Sequence, residues 1–395
     1  MTLARPASTL ARPASTLTRS ASRGFSIVEL MVAVTLSLVV TAAVLSVFVA
    51  SRASYSRTSG TASLSDGGRF ALDFLQQSVR AAGYIVCAQA TNNSSIVNPA
   101  SFTSALAAFN SQGLAGYEAT GTEAAGAYSV PSASPASPIP TDATLGDWIG
   151  GLDASLVSEV VKNNDVLVVY TTAANAQPSY ITSIANGATT FQVNALGSLA
   201  ANGHQLIAIS DCSKSVVMWS TVAISGTAPY LTVTHDTTGG LNSGGTLPAA
   251  YSFSAGSQVA PVDAAIYYIG QGEDGDGALF RNDLNSGANA PSFQATELVP
   301  DIEAMQILYG IDSTGTQQTV DDYVTADEVP IVSPNGWNGV ISVKIALLAA
   351  SQLNAVQKPT VANTYTLLGT TVTAPLDTRA RQVFEMTIGL RNQSQ

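Results

Sequence analysis

The stretch R-G-F-S-I-V-E-L-M-V-A-V-T-L-S-L-V-V, residues Arg23–Val40, contains one carboxylate, Glu29, inside an otherwise apolar run. The run continues to Ala50, and Glu29 is the only charged residue among the 26 residues 25–50. As a helix with a rise of about 1.5 Å per residue the run would be about 39 Å long, enough to cross a bilayer. The sequence therefore predicts a membrane-spanning helix over residues 25–50.

Basic residues flank this run on both sides. Four arginines and no acid lie in the first 24 residues, and Arg52 and Arg57 follow the run. Of the 16 basic residues of the chain, 12 remain beyond residue 24, against 27 acids, so this remainder has a net charge of −15. A basic leader before the apolar run favours a cytoplasmic N-terminus. The acidic body would repel a polyphosphate backbone, so no nucleic-acid partner is expected.

Three kinds of N-terminal segment compete. A cleaved secretory signal has an apolar core of about 7–15 residues and no place for an internal charge. A plain signal anchor fits the length but leaves Glu29 unexplained, because a carboxylate at membrane depth is costly without a partner. A cut between Gly24 and Phe25 explains both features, because the new α-amino group can pair with Glu29. If that amino group belongs to a neighbouring subunit, the pair fixes the register of helices stacked in a filament.

The order of these features resembles a class III (type IV) prepilin signal. A basic leader, Gly24, Phe25, a glutamate at the fifth position after the cut and about 20 apolar residues follow one another. The resemblance implies cleavage after Gly24 and N-methylation of Phe25 by a prepilin peptidase. It also implies that Glu29 acts in subunit assembly.

A second resemblance begins at residues 67–87, G-G-R-F-A-L-D-F-L-Q-Q-S-V-R-A-A-G-Y-I-V-C. Apolar residues here recur at spacings of three and four, which predicts an amphipathic helix. The sequence of this segment is similar to that of PilW-like minor pilins of type IV pilus systems. Further similar pieces are S-D-C at 210–212, I-Y-Y-I-G at 266–270, V-P-D-I-E-A-M-Q-I-L-Y-G-I-D at 299–312 and R-Q-V-F-E-M-T-I-G-L-R-N at 381–392.

The chain has two cysteines, Cys87 and Cys212, and no C-x-x-C motif. In an exported protein they are a candidate disulfide. The alternative is two unrelated buried thiols. A bridge closing a loop of this length would stabilise the fold by about 4–5 kcal/mol in the chain-entropy model.

The predicted architecture is α+β and type IV pilin-like, with a long N-terminal helical spine before a large antiparallel β-rich body. Residues 1–24 are the removed leader, 25–60 the transmembrane and assembly helix, 61–84 an amphipathic helix continuing the spine, and 85–395 the periplasmic body. Ser59-Gly60 or Gly67-Gly68 is expected to break or bend the helix. A body of two lobes dividing near 215–260 is the alternative to a single one.

Within the body, residues 88–145 are rich in Ala, Ser, Thr, Asn and Pro and predict a loop, with an exposed linker at 131–140. Alternation of apolar and polar residues at 341–347 and 384–390 predicts half-buried antiparallel strands. β-Branched or aromatic runs predict further strands at Val166–Thr171, Leu206–Ser210, Val216–Ile224, Tyr230–Thr234 and Ala265–Ile269.

The sequence gives little support for a catalytic or ligand-binding site. G-Q-G-E-D-G at 270–275 fits a dinucleotide loop, but its acids would repel a pyrophosphate, so a β-hairpin turn is expected. The same loop and residues 312–322 lack a full set of calcium ligands. His204 and His235 have no partner pattern, and the three tryptophans are expected to be core or interface residues. We therefore expect no enzyme, no cofactor and no metal.

The resemblances together imply a minor pilin that takes part in type IV pilus assembly or priming, at the pilus tip by extension. Its expected partners are prepilin peptidase, other minor pilins, the major pilin and the inner-membrane assembly platform. It would be a single-pass inner-membrane protein with a periplasmic body, reaching the cell surface after assembly. Two alternatives stay open: a minor pseudopilin of a type II secretion system, and a membrane-anchored adhesin or binding protein.

Overall fold

The structure is a computed structural model of the 395-residue chain. It describes residues 24, 26–87, 93–98, 113–133, 136–154, 156–173, 175–185, 189–220, 224–235, 240–243, 252–285, 292–315 and 319–391. The leader up to residue 23 and Phe25 lie outside the described residues. The chain divides into two compact units, Met1–Tyr55 and Ser56–Gln395.

The first element is a single 55-residue helix, α1 (Ile27–Ala81). The helix continues through residues 59–60 and 67–68, so the chain does not break at either of the two expected places. Gly60 and Gly68 are instead buried on the face of α1 that packs on the body. A glycine costs a helix interior about 1 kcal/mol, which the tertiary packing of that face offsets. The helix stops at Gly83, which adopts φ +73°.

In its described residues the body is built almost entirely of strands, with a short helix α2 (Val329–Val332) and two 3-10 turns (Leu145–Asp147 and Gly336–Gly339). Its described residues form β1 (Asn93–Ser95), β2 (Leu114–Tyr117), β3 (Ala127–Ser129), β4 (Val166–Thr172), β5 (Ser179–Ile184), β6 (Thr190–Val193), β7 (Gln205–Ser210), β8 (Ser215–Ser220), β9 (Leu231–Thr234), β10 (Gln258–Gln271), β11 (Gly277–Asn285), β12 (Ser292–Pro300), β13 (Ile302–Ile311), β14 (Asp322–Val324), β15 (Val340–Ala350), β16 (Thr364–Leu367), β17 (Thr370–Thr373) and β18 (Arg381–Gly389). The predicted long apolar helix and large β-rich body are confirmed.

The largest sheet is organised by β10. Among the described residues eleven strands belong to it, in the order β1-β8-β7-β10-β5-β6-β9, with β4, β2, β11 and β12 joined to β10 directly or through one another. The first part of β10 pairs with β7 and the remainder with β4 and β11. Strands on either side of residues 215–260 therefore share one sheet.

The predicted strand at 265–269 is the second half of β10, which begins earlier, at Gln258. The sequence does not predict this extension because it contains Pro261, and proline lacks the N–H group that a central strand needs for hydrogen bonding to its neighbours. In the structure Pro261 stands opposite Ile207, and the next residue, Val262, stands opposite Thr172. The proline is therefore accommodated where β10 changes its partner from β7 to β4.

A four-stranded antiparallel sheet, in the order β14-β13-β15-β18, lies against the C-terminal half of α1. Val343, Ile345 and Leu347 of β15 pack in one core with Leu72 and Leu75 of α1. The other face of β15 is covered as well. Its alternate residues, with Ala304 of β13, form a second core with the small sheet β16-β17-β3, composed of Val130, Ala304, Ala346, Leu348, Leu367 and Val372.

The prediction of a half-buried strand at 341–347 is therefore wrong. All of β15 is buried except Lys344, which is partly exposed. The alternate positions are Ser342, Lys344 and Ala346, which suggest a solvated face. Ala346 is covered by the small sheet, whereas Ser342 and Lys344 contact the ring or hydroxyl of Tyr323. β18 matches the prediction better, because its residues alternate between partly buried and exposed.

The stretch 88–145, predicted as loop, contains β1, β2 and β3 in its described part. These strands have three or four residues and few β-branched side chains, so they form by pairing with β8, β4 and β17. The expected exposed linker at 131–140 contains the buried Ile139, whose N–H donates to the carbonyl of Gly275 at 2.7 Å. That part of the segment is packed into the body.

Candidate processing and assembly segment

The N-terminus of α1 begins at a serine cap. The N–H of Leu30 donates to the Ser26 carbonyl at 3.0 Å, and the N–H of Val28 donates to Ser26 Oγ at 3.3 Å. Ser26 is therefore the N-cap and Glu29 the third helical residue, an S-x-x-E arrangement typical of helix starts. Gly24 is exposed, and a Cβ placed on it would meet no atom of the described chain within 4 Å. Phe25, the other predicted processing residue, lies outside the described residues.

Glu29 stands exposed in the first turn of α1. A negative charge is favoured there, because unpaired backbone N–H groups give the helix N-terminus a partial positive charge. Among the described residues the Glu29 carboxylate has no hydrogen-bond or ion-pair partner. The predicted assembly residue is therefore available to a group outside the described chain.

The remaining polar side chains of the apolar run are satisfied within the helix. Thr35 donates to the carbonyls of Met31 and Val32, and Thr41 to that of Ser37. Ser37 and Ser46 likewise donate to carbonyls three residues earlier. Hydroxyls bonded to their own helix can enter hydrocarbon at little cost. Glu29 is thus the exception among the polar side chains of residues 27–50.

The apolar side chains of this part of α1 are exposed all around the helix, for example Val47 at 69% and Phe48 at 58%. Among the described residues, α1 is long and apolar enough to cross a membrane by length and composition. A helix that is apolar on every face requires an apolar surrounding. Lipid or the helices of other subunits would provide one.

The two cysteines form the predicted disulfide. The Cys87–Cys212 bond has an S–S distance of 2.05 Å and closes a sequence separation of 125 residues. Cys87 follows the end of α1, and Cys212 lies in the turn between β7 and β8. The bridge therefore fastens the end of the spine to the large sheet.

The G-x-G-x-x-G segment is a β-hairpin turn, as predicted. It joins β10 to β11, with the N–H of Gly272 donating to the Asp276 carbonyl at 2.8 Å. The Asp276 carboxylate bonds to the buried guanidinium of Arg379, which also contacts Asp301 at 2.8 Å. Among the described residues no cluster of three or more His, Cys, Asp or Glu side chains is placed to hold a metal.

The tryptophans lie in the core, as predicted. Trp148 donates from Nε1 to the Asn164 carbonyl at 2.9 Å, and Trp337 meets the Tyr309 ring edge-on, with 4.8 Å between ring centroids. Trp219 is fully buried, and so is His235. These residues fill the interior of the body.

Two buried carboxylates have no signal in the sequence. Asp165 accepts hydrogen bonds from the N–H groups of Ala119, at 3.1 Å, and Ile307, at 2.7 Å, and so joins β4 to β13. Glu118 accepts a hydrogen bond from Thr122 Oγ1 at 3.1 Å. Burial and the neighbouring Asp165 charge raise the pKa of Glu118 to about 9, and burial raises the pKa of Asp165 to about 7.

Known families match both ends of the chain. Residues 19–45 match the prokaryotic N-terminal methylation motif, and residues 266–392 match the family described as type IV pilus-assembly protein W. No protein of curated function matches the chain. A solved structure, a type IV-like pilin from Thermus thermophilus, matches at a TM-score of 0.21 and 16% identity, over 49% of this chain and 86% of that chain.

With a methylation motif on an apolar helix and a β-rich body, the chain is similar to the pilins of the type IV pilus class. More particularly, its C-terminal region from residue 266 is PilW-like. The signal and the apolar helix indicate a membrane-anchored protein. The two matches imply a structural role and interaction with prepilin peptidase and other pilus components.

Proposed function

We propose that this protein is a minor pilin that helps to prime type IV pilus assembly and reaches the filament tip. Prepilin peptidase would cut after Gly24 and methylate the new N-terminus of Phe25. The observation that supports this proposal most strongly is that the Glu29 side chain has no bonding partner in the described part of the chain. It is the one polar side chain of residues 27–50 with no partner among the described residues, whereas the four hydroxyls of that run are all bonded.

The missing partner of Glu29 would be the α-amino group of a neighbouring subunit. An unpaired carboxylate in hydrocarbon is costly, and a cation at hydrogen-bond distance removes most of that cost. The pair forms at one axial offset between two parallel helices, so it would set the stagger of neighbouring subunits. The PilW-like C-terminal region supports a role in assembly.

The orientation follows from charge. The four arginines before the apolar run favour retention of the leader in the cytoplasm, so the body would be periplasmic. The Cys87–Cys212 bond fits that side of the membrane, because disulfides persist in the oxidising periplasm. Disulfide and charge pattern thus support the same topology independently.

The test is the mass and N-terminal sequence of the protein from membranes and from sheared surface filaments. We expect N-methyl-phenylalanine at position 25 in both fractions. A start near Ala50 would indicate ordinary secretion and overturn the proposal. A start at Phe25 in membranes, with no protein in filaments and a secretion defect in the deletion strain, would favour a pseudopilin of a type II secretion system.

A further inference from the structure

A small cleft lies over the paired strands β10 and β11 of the body. It has a volume of about 230 Å³, and its lining residues include Ser158, Glu159, Tyr268, Phe280 and Ala295. Ser158 and Ala295 are exposed, so the cleft opens to solvent. Sites for drug-sized ligands usually measure about 300–1,000 Å³, so this cleft fits a smaller group, of the size of one side chain.

Two stacked aromatic rings line the cleft. The centroids of Tyr268 and Phe280 are 5.6 Å apart, with 11° between the ring planes. Tyr268 is buried, whereas Phe280 is partly exposed. A Cβ placed on Gly270 would lie 2.9 Å from both the Glu159 carbonyl oxygen and Phe280 Cδ2. The first glycine of the G-x-G-x-x-G segment therefore lets the segment that carries Glu159 approach the rings.

The carboxylate of Glu159 is the charged group of the cleft. Its Oε2 accepts a hydrogen bond from the Tyr268 hydroxyl at 2.7 Å and lies 3.5 Å from Asn282 Nδ2. Both donors are neutral, and Glu159 has no ion-pair partner in the part of the chain that the structure describes. The Oδ1 atom of Asn282 is buried and has no hydrogen-bond partner in that part of the chain. Acceptor oxygens are thus present without a cation.

The neighbouring basic side chains are engaged elsewhere. Arg281 lies on the other face of β11, because successive strand residues face opposite sides, and its Nε bonds to Asp283 Oδ1 at 2.7 Å. The Lys162 Nζ lies 3.7 Å from Asp142 Oδ1 and 3.5 Å from Asp147 Oδ2. None of the described residues that line the cleft is basic. Its carboxylate is therefore free to attract a cation from outside.

We propose that the cleft binds an organic monocation on an aliphatic stem, an alkylguanidinium or alkylammonium group. Such a group carries N–H donors and no acceptor, which suits the Glu159 carboxylate, and its charge is attracted by the face of the Phe280 ring. A metal ion fits less well, because the cleft supplies one carboxylate and no metal-binding cluster of His, Cys, Asp or Glu occurs among the described residues. This site is independent of the proposed function.

The first test compares two probes on the full-length protein in detergent. N-acetyl-arginine amide carries a guanidinium, and N-acetyl-citrulline amide has the same stem with an uncharged urea group. Saturation-transfer NMR detects bound probe. We expect a Kd of about 1–10 mM for the arginine probe and binding at least about tenfold weaker for the citrulline probe. The methylene next to the guanidinium should receive the most saturation, because it lies against the Phe280 ring.

Two variants separate the contributions of charge and ring. Glu159→Gln keeps an acceptor for the Tyr268 hydroxyl and removes the charge, so it should weaken the arginine probe about tenfold and leave the citrulline probe unchanged. Phe280→Leu keeps the charge and should weaken the arginine probe about threefold. The matched control is Glu385→Gln, at an exposed acid of β18, which should bind both probes as the parent does.

Two sources share this ligand chemistry, an arginine or lysine side chain of a partner protein and a free small amine or guanidine. A diazirine amino acid in place of Ser158, at the opening of the cleft, distinguishes them by photo-cross-linking in cells. An adduct to another protein that disappears with Glu159→Gln identifies a partner's basic side chain. Binding of the arginine probe without any such adduct assigns the cleft to a free cation.

Three results would overturn the proposal. Equal binding of the arginine and citrulline probes would show that the cleft does not recognise charge. Unchanged binding in Glu159→Gln would remove the carboxylate from the site. Equal losses in Glu159→Gln and Glu385→Gln would indicate a general attraction to an acidic body. None of these results concerns cleavage after Gly24 or incorporation into filaments, so failure here is distinguishable from failure of the proposed function.

Discussion

The two halves of α1 show what one helix does in two surroundings. From Ile27 to Tyr55 nearly every side chain is exposed, and apolar residues occur on all faces. From Ser56 to Ala81 one face is buried in the body, at positions 60, 64, 68, 71, 72, 75 and 79. The spacing of three and four residues in the second half is that of a helix with one apolar stripe. Both halves are α-helical, so they differ only in their surroundings. The first half requires an apolar environment on all sides, and the second requires the body on one side.

The comparison also separates two kinds of carboxylate. Glu29, in the first half, is exposed and has no hydrogen-bond or ion-pair partner among the described residues. Glu118, in the body, is buried, and its Oε2 has no hydrogen-bond partner among the described residues. The first is exposed at a helix N-terminus, whereas burial of the second raises its pKa and favours its protonated form. Mutations in the two halves should therefore have different readouts.

The largest effect is expected from Glu29→Ala. Cleavage after Gly24 should remain, because the cut lies outside the helix, but incorporation into filaments should fall more than about tenfold as the register pair is lost. Immunoblots of membrane and sheared-filament fractions measure both. Asp66→Ala, an exposed acid on the second half of α1, is the control and should assemble normally. Normal piliation with Glu29→Ala would remove the assembly role of Glu29.

Next in size is the pair Leu75→Ala and Leu45→Ala. Leu75 is fully buried, so its truncation should lower the free energy of unfolding of the body by about 2–5 kcal/mol. Leu45 is 56% exposed, and its truncation should leave that free energy unchanged. Denaturant unfolding of the full-length protein in detergent distinguishes the two. Equal losses would show that the first half of α1 also packs on the body.

A smaller effect is expected where α1 approaches β18. A Cβ on Gly68 would lie 2.4 Å from two ring carbons of Phe384, so Gly68→Ala should destabilise by about 1–3 kcal/mol. A Cβ on Gly67 would have its nearest contact at 3.7 Å, with Val299, so Gly67→Ala should be neutral or stabilise by up to about 1 kcal/mol.

The double variant Gly68→Ala/Phe384→Leu tests the cause of that loss. Removing the ring should recover much of the stability lost on Gly68→Ala. If Gly67→Ala is as harmful as Gly68→Ala, close approach to Phe384 is not the reason for either effect.

The stability of the body should also depend on pH. Because the pKa of Glu118 rises from 4.5 to about 9 on folding, the folded protein keeps a proton that the unfolded chain releases. Stability should therefore be full below about pH 4.5 and fall as the pH rises toward 9. Asp165 acts in the same direction below about pH 7. Glu118→Gln should flatten the fall, and an unchanged slope in unfolding experiments from pH 5 to 8 would exclude Glu118 as its source.

The sequence predicts the helix well because its two patterns are strong and local. Continuous apolar residues mark the first half, and a stripe with helical spacing marks the second. The glycines mislead because their helix propensity is an intrinsic property, whereas their role here is steric. Gly60 and Gly68 face Ala355 and Phe384, which lie far away in the chain, and no local pattern encodes such contacts.

The body is harder to predict because its layers are assembled from distant segments. Ala346 alternates with apolar residues and follows two polar positions, so the sequence suggests that it faces solvent. In the structure the sheet that contains β3 and β17 covers it. β3 comes from a stretch whose composition is that of a loop. Asp165 lies just before a strand like many turn residues, and only the fold brings Ile307 to it. The processing and assembly residues are the opposite case, because their signal lies in one short segment that needs no tertiary context.

The Cys87–Cys212 bond also determines how the molecule would respond to mechanical load. Cys87 follows the last residue of α1 by six positions, so tension along the helix reaches the bond almost at once. From there it passes through the sulfur atoms to the turn between β7 and β8. The segment between the cysteines, which are 125 positions apart, is then bypassed, and this removes about 400 Å of contour length from the chain that a pull could extend. A body fastened in this way stays short under a force that would otherwise draw it out from its N-terminal side.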